Sequence, residues 1–171
     1  MSPRDLKATI AECDYFIGTR MHSNIFALSC CVKTIAVAYE MKTIGIMQTF
    51  INTHPGSVRN KEATEIIAIC REKLEIKDYK SAQLYFDIGQ YRAAGVTFTA
   101  LLESYPESEK GDEYKLMIIK SYYKFAELSV EEKKEERFTQ VINECNEFTD
   151  RFPESKLKKE VDQFYSQSQN N

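Results

Sequence analysis

The spacing of apolar residues changes character near residue 40. Before it, apolar residues come in short runs. Lys33-Thr-Ile-Ala-Val-Ala-Tyr39 is continuous and rich in β-branched residues, as a buried parallel strand is, and Asp14-Tyr-Phe-Ile-Gly18 reads as its neighbour. Met21 to Cys31 between them reads as an apolar helix, and Pro3 to Cys13 ahead of them as a short amphipathic helix with Leu6, Ile10 and Cys13 on one side. Strand, helix and strand within about 25 residues predict a small βαβ unit. After residue 41 the period becomes helical. Ala63, Ile66, Ile67, Cys70 and Leu74 form one stripe inside a charged segment and predict a long helix from Val58 to Phe86.

The helical part repeats itself. Phe50-Ile-Asn-Thr-His-Pro55-Gly-Ser57, Leu101-Leu-Glu-Ser-Tyr-Pro106-Glu-Ser108 and Phe148-Thr-Asp-Arg-Phe-Pro153-Glu-Ser155 share one design, with prolines 51 and 47 residues apart. Each has an apolar residue five before the proline, a ring just before it and a serine two after. Proline cannot continue a helix and biases its predecessor out of the α region, so a helix ends at each pair, and the serine is placed to cap the next one. Upstream, Ala94, Phe98 and Leu101 in the second copy match Val141, Cys145 and Phe148 in the third, three or four residues apart on one face. Helix breaks are expected near Pro55, Gly89, Pro106 and Pro153. Ser129 and Glu132 have capping-box spacing at the start of a polar insertion running from Leu128 to Arg137. The rings of Tyr85, Phe86, Tyr91, Phe98, Tyr105, Tyr122, Tyr123 and Phe125 form either a hairpin core or a peptide-binding groove.

Composition narrows the function. Of 171 residues, 43% are hydrophobic and 29% charged, which is globular, and a formal net charge of -3 argues against a general nucleic-acid binder. Lys156-Leu-Lys-Lys159 reads as a solvated helix face. The five cysteines lack CxxC spacing and read as small buried hydrophobes; His22 and His54 are the only imidazoles. No metal site and no cofactor is expected. No stretch approaches the roughly 20 apolar residues of a membrane span. Met1-Ser-Pro-Arg-Asp5 has no signal pattern or lipidation cysteine, so the chain as written would stay in the cytoplasm.

The glycine turn, the ring two residues later, the small residue and the closing proline resemble the second half of a tetratricopeptide repeat, with a longer period than that family's. Ala82-Gln-Leu-Tyr-Phe-Asp-Ile-Gly89-Gln-Tyr-Arg-Ala-Ala94, Tyr105-Pro-Glu-Ser108, Lys120-Ser-Tyr-Tyr-Lys-Phe-Ala126 and the charged run to Arg137 carry a closer resemblance. Residues 43–171 resemble the C-terminal repeats of the lipoprotein subunit of the bacterial β-barrel assembly machinery (BamD type). That resemblance implies a scaffold on the periplasmic face of the outer membrane. Its partners would be a β-barrel assembly subunit and outer-membrane protein substrates. The signal peptide, lipidated cysteine and first repeats of that family do not appear in this sequence.

The first forty residues carry the chemistry-capable groups. Gly18-Thr19-Arg20 lies between the first strand and the helix beginning near Met21, where unpaired N–H groups and the helix dipole favour an anion. His22 lies one step inside that helix, and Glu40 ends the second strand, where open α/β sheets bind ligands. Ala11 to Leu28, containing Arg20-Met-His22, followed by Thr34-Ile-Ala-Val-Ala-Tyr-Glu40-Met-Lys42, is similar to the C-terminal part of polysaccharide pyruvyl transferases. The resemblance implies Arg20 and His22 as catalytic groups at the pyruvyl and phosphate moieties, with Gly18, Thr19 and Glu40 binding a sugar nucleotide. A two-domain transferase needs more surface than this match covers.

The two resemblances meet inside Glu40-Met-Lys-Thr-Ile-Gly-Ile-Met-Gln48. The expected architecture is mostly α: tetratricopeptide-like hairpins over 43–171, preceded by a βαβ fragment over 1–42. The expected function is a non-enzymatic protein-interaction scaffold. The alternatives are a pyruvyl transferase fragment acting on a sugar or sugar nucleotide, and a chimera with neither activity.

Overall fold

The computed structural model describes residues 3–18, 25–27, 29–36 and 41–170. Helix α1 (Pro3–Ala11) leads into strand β1 (Tyr15–Gly18) and strand β2 (Lys33–Ala36), and five of the remaining helices follow in a row: α2 (Met41–Thr53), α3 (Asn60–Asp87), α4 (Tyr91–Ser104), α5 (Gly111–Glu127) and α6 (Glu131–Arg151), with α7 (Lys158–Gln169) last. The chain divides into two compact units, residues 1–74 and 75–171.

In the first unit β1 and β2 pair in parallel, Tyr15 opposite Lys33 and Gly18 opposite Ala36. A small core of Ile10, Ala27 and Val32 lies beside them, with Phe16, Phe26 and Cys30 packed around it. The expected stripe of α1 is only partly used: Ile10 is buried, while Leu6 and Cys13 are exposed. Of the helix expected between the strands, residues 25–27 and 29 are helical. It ends at Cys31, whose φ of 59° is left-handed, with the Val32 N–H bonded to the Ala27 carbonyl at 3.0 Å. This is a Schellman-type stop, built here without the usual glycine. Residues 37–39 of the expected second strand lie outside the described residues. Ala63, Ile67, Cys70 and Leu74 are buried along the first half of α3, and Ile66 beside them is half-buried.

The second unit is a stack of helical hairpins. Gly89 closes α3 with φ 77°, and the Gly89 and Gln90 N–H groups reach the Phe86 and Tyr85 carbonyls at 3.0 and 2.8 Å. Only a residue at ease in the left-handed region can stand there. One core joins Ala82 of α3, Ala94, Phe98 and Leu101 of α4, and Tyr114 and Ile118 of α5. A second joins Ile119 and Tyr123 of α5, Phe138, Val141, Cys145 and Phe148 of α6, and Val161 of α7. Helix α5 therefore feeds both cores from opposite faces, which is how neighbouring repeats stabilise one another.

The three ring-proline turns have one backbone design. The ring residue's N–H reaches the carbonyl four residues back (His54 to Phe50, Tyr105 to Leu101, Phe152 to Phe148), and the serine N–H reaches the ring residue's carbonyl at 3.0 to 3.1 Å. Each serine Oγ then accepts the N–H two residues on, from Arg59, Lys110 and Leu157 at 3.1 to 3.2 Å. The serines thus fix the turn ahead of the next helix and leave its first N–H groups to other partners. The capping box expected at Ser129 does not form. Val130 is the N-cap of α6 and makes no side-chain cap bond; the Ser129 hydroxyl instead donates to the Phe125 carbonyl at 2.5 Å and accepts from Arg137.

Candidate functional site

At the end of β1, Gly18 is buried and stands opposite Ala36 of β2. Thr19, Arg20, His22 and Glu40, the other residues proposed from sequence for sugar-nucleotide chemistry, lie outside the described residues. A cavity of about 410 Å³ opens at the other end of the strand pair, lined by Cys13, Asp14, Tyr15, Cys30, Cys31 and Lys33 among others. It stands at the N-terminal edge of two parallel strands, whereas ligands of open α/β sheets bind beyond the C-terminal edge. The cavity is therefore not the expected substrate site.

The polar groups of the second unit tie helices together. Glu75 Oε1 of α3 accepts from the Tyr114 hydroxyl of α5 at 2.6 Å and from the Ser108 hydroxyl of the intervening turn. Asp78, one turn on, accepts from Tyr105 at 3.0 Å. The next repeat uses the same device: Ser155 donates to Asp112 Oδ2 of α5 at 2.6 Å. Lys115, buried in α5, reaches Glu144 and Glu147 of α6 at 2.5 and 2.7 Å. At the far end of that hairpin the Arg137 guanidinium lies 4.0 Å from the centre of the Phe125 ring.

Close packing accompanies these links. Gly95 sits where α4 meets α5, and a Cβ added there would lie 2.7 Å from Cε1 of Tyr122. Phe152 is packed against Gly111 in the same way, at 3.2 Å from an added Cβ. Most of the aromatic stripe is accordingly core. Phe98 is fully buried, Tyr123 nearly so, and Phe86, Tyr105 and Tyr122 pack against the cores; Tyr85 is the exposed member, at 40%.

Electrostatics point the same way. Burial, then the bond to Asp78, pushes the Tyr105 phenol up to about 12, and burial, then the bond to Glu75, raises Tyr114 as well. Burial raises Tyr122 and Tyr123. Burial, with the Glu144 charge adding to it, pushes the Cys145 thiol up to about 12. Each of these moves away from neutrality, opposite to the tuning of a general acid, a general base or a thiolate nucleophile. These groups act as fixed donors and apolar filler. The expectation of buried cysteines holds for Cys70 and Cys145, whereas Cys13 and Cys31 are exposed and Cys30 half-buried.

Residues 77–144 match the family model of an outer membrane lipoprotein. The match begins in the second half of α3 and runs through the α4–α5 hairpin into α6, taking in Gly89, Gly95, Pro106, Lys115 and Tyr122. Residues 1–41 match the model of polysaccharide pyruvyl transferases, and that match spans α1, β1 and β2. Both resemblances seen in the sequence are thus present, on separate stretches of one chain. No curated protein matches the chain at a significant level. Among the described residues no helix is long and apolar enough to cross a membrane.

Spacing alone does not reveal two of the second unit's determinants. The serine-to-carboxylate bonds join positions 33 and 43 residues apart, and neither partner belongs to an apolar stripe. Lys115 reads as one more surface lysine. Gly95 did leave a trace, because glycine inside a helix costs about 1 kcal/mol relative to alanine and so implies a packing reason.

Proposed function

We propose that the helical repeats form a protein-interaction scaffold of the outer-membrane assembly kind, binding a β-barrel assembly subunit and outer-membrane protein substrates at the periplasmic face of the outer membrane. The observation that carries this reading is the lipoprotein family match over residues 77–144, which coincides with stacked hairpins. The turn after α2 shares the backbone bonds and the serine-to-N–H bond of the other two, which supports placing the start of the repeat part at residue 43. Cores built from rings, and polar links that tie one helix to the next, suit a rigid surface for a partner better than a reaction centre. Co-purification with the barrel-forming subunit, abolished by unfolding the repeats but not by His22→Ala, is the expected result. Failure of the intact chain to retain that subunit at micromolar concentration would reject the reading.

A second reading concerns residues 1–41 alone, and their family match favours it. Here Arg20 and His22 serve the pyruvyl and phosphate groups, and Gly18, Thr19 and Glu40 hold a sugar nucleotide. Gly18 stands at the end of β1, and a residue without a Cβ suits close approach of a phosphate to backbone. Sugar-nucleotide binding by calorimetry, lost in Arg20→Ala, is its test.

A further inference from the structure

The three turns allow the chain to be compared with itself. Counting back eight and five positions from each proline gives Phe98 and Leu101 in α4, Cys145 and Phe148 in α6, and Met47 and Phe50 in α2. The four in α4 and α6 are at most 3% exposed. Met47 and Phe50 are only half-buried, and Ile46 beside them is 39% exposed. Twelve positions back the contrast recurs: Ala94 and Val141 are fully buried, whereas Thr43 is half-buried.

The serines show the same difference. Ser108 and Ser155 each donate to a carboxylate on the helix before their own hairpin's second helix, Glu75 of α3 and Asp112 of α5. Ser57 makes the same turn bond to its following N–H, yet donates to no carboxylate among the described residues. The element before α2 is strand β2, where α4 and α6 are each preceded by a helix. What covers such a stripe is therefore shown twice within this protein: an amphipathic helix with one carboxylate aligned on the serine.

We propose that α2 is the second helix of a hairpin whose first helix is supplied by another protein. The stripe of Thr43, Met47 and Phe50 takes an amphipathic helix, and a carboxylate on that helix accepts the Ser57 hydroxyl. A second copy of this chain is a poor donor, because Glu75 of its α3 and Asp112 of its α5 are already engaged and the apolar residues that flank them in the two cores are buried. The occupant is a partner helix free to dock, in the helix-in-groove mode. This surface is separate from residues 77–144, and its use does not depend on their acting at an outer membrane.

The probe is a labelled peptide with the sequence of residues 111–127, which carries Asp112 and the apolar face of α5. Its anisotropy is titrated with the full chain, up to about 1 mM. Saturable binding is expected, weakened about tenfold or more by Phe50→Asp and several-fold by Ser57→Ala. Asp112→Asn in the peptide should weaken binding to the natural chain but add little on top of Ser57→Ala, as a directly coupled pair requires. Val96→Asp, on an exposed face of α4, should leave binding unchanged. If Phe50→Asp alters the melting curve, Ser57→Ala and the peptide variant carry the test. Three results would overturn the proposal. One is no saturation at 1 mM. Another is binding lost in Ser155→Ala but not in Ser57→Ala, which would mean exchange into the place of α5. The third is self-association of the chain in sedimentation, abolished by Phe50→Asp, which would make a second copy the occupant.

Discussion

The hydroxyl of Ser155 donates to Oδ2 of Asp112 at 2.6 Å, fastening the turn after α6 to the first turn of α5 across 43 positions of sequence. The same hydroxyl oxygen accepts the Leu157 N–H at 3.1 Å, so one side chain closes the turn and locks the hairpin. A bond to a charged acceptor contributes more than a neutral one. Ser155→Ala is expected to cost about 1–2 kcal/mol in urea midpoint analysis. Ser57→Ala removes only the turn bond and should cost about 0.5 kcal/mol. Equal costs would show that the carboxylate link adds nothing.

The core and the insertion should respond differently to truncation. Phe98 is fully buried between α3, α4 and α5, edge-on to Tyr79 with ring centres 5.8 Å apart. Phe98→Ala should cost about 3–5 kcal/mol. Lys134, whose ion pair with a largely exposed Glu131 is 2.7 Å long, should cost no more than about 0.5 kcal/mol on truncation. Similar denaturant midpoints for the two variants would remove Phe98 from the core.

Gly95 tests close packing. Its missing Cβ leaves the space that the Tyr122 ring fills, and that ring packs against both cores, so it has little room to yield. Gly95→Ala improves helix propensity yet is expected to destabilise by about 1–3 kcal/mol. Combining it with Tyr122→Leu should give less than the sum of the two single effects, because the clash is gone. Additive costs in the double variant would refute the contact.

What was legible in the sequence was whatever repeats or alternates locally. The ring-Pro-x-Ser turns, the glycine stop at Gly89, the α3 stripe and the two strands each follow from residues within a few positions of one another. The Ser129–Glu132 spacing misled for a physical reason: Arg137 two turns on and the Phe125 carbonyl four residues back compete for the same hydroxyl, and both win. Long-range partners such as Glu75 with Tyr114 had no periodic trace. The candidate transferase residues were legible only as a motif and by resemblance. Of them, Gly18 alone falls among the described residues.

Stability should be insensitive to pH around neutrality and fall in alkali. The Cys145 thiol and the Tyr105 and Tyr114 phenols all have higher pKa values folded than unfolded, because burial and neighbouring carboxylates disfavour their anions. The folded state thus holds their protons more tightly. The stabilisation is complete below the unfolded values, 9.0 for the thiol and 10.0 for the phenols, and is lost as pH rises through about 12. Urea midpoints measured from pH 7 to 11 should be level up to about 9 and then decline, with Cys145→Ala delaying the onset. A decline that begins below pH 8 would contradict this assignment. The same burial predicts that iodoacetamide at pH 8 labels Cys13 and Cys31 in the native protein and reaches Cys145 only after unfolding.

The two halves should separate in their ability to fold. Residues 56–171 contain the α3–α4 and α5–α6 hairpins and α7, with both large cores intact. Stacked hairpins draw stability from nearest neighbours, so this fragment should melt cooperatively by circular dichroism. Residues 1–50 contain two four-residue strands, α1 and most of α2, and among the described residues a small core of Ile10, Ala27 and Val32. Two strands have two open edges, and a chain of this length rarely buries enough surface to hold a fold, so the fragment should show no cooperative transition. The intact chain should also transfer no pyruvyl group to a sugar acceptor, since the pyruvyl transferase match ends at residue 41 and the described elements after it are helices. The two measurements are melting of each fragment and a turnover assay on the whole chain. A cooperative melt of residues 1–50, or transfer abolished by His22→Ala, would reverse the ranking and make the N-terminal segment the functional part, with the repeats as its support.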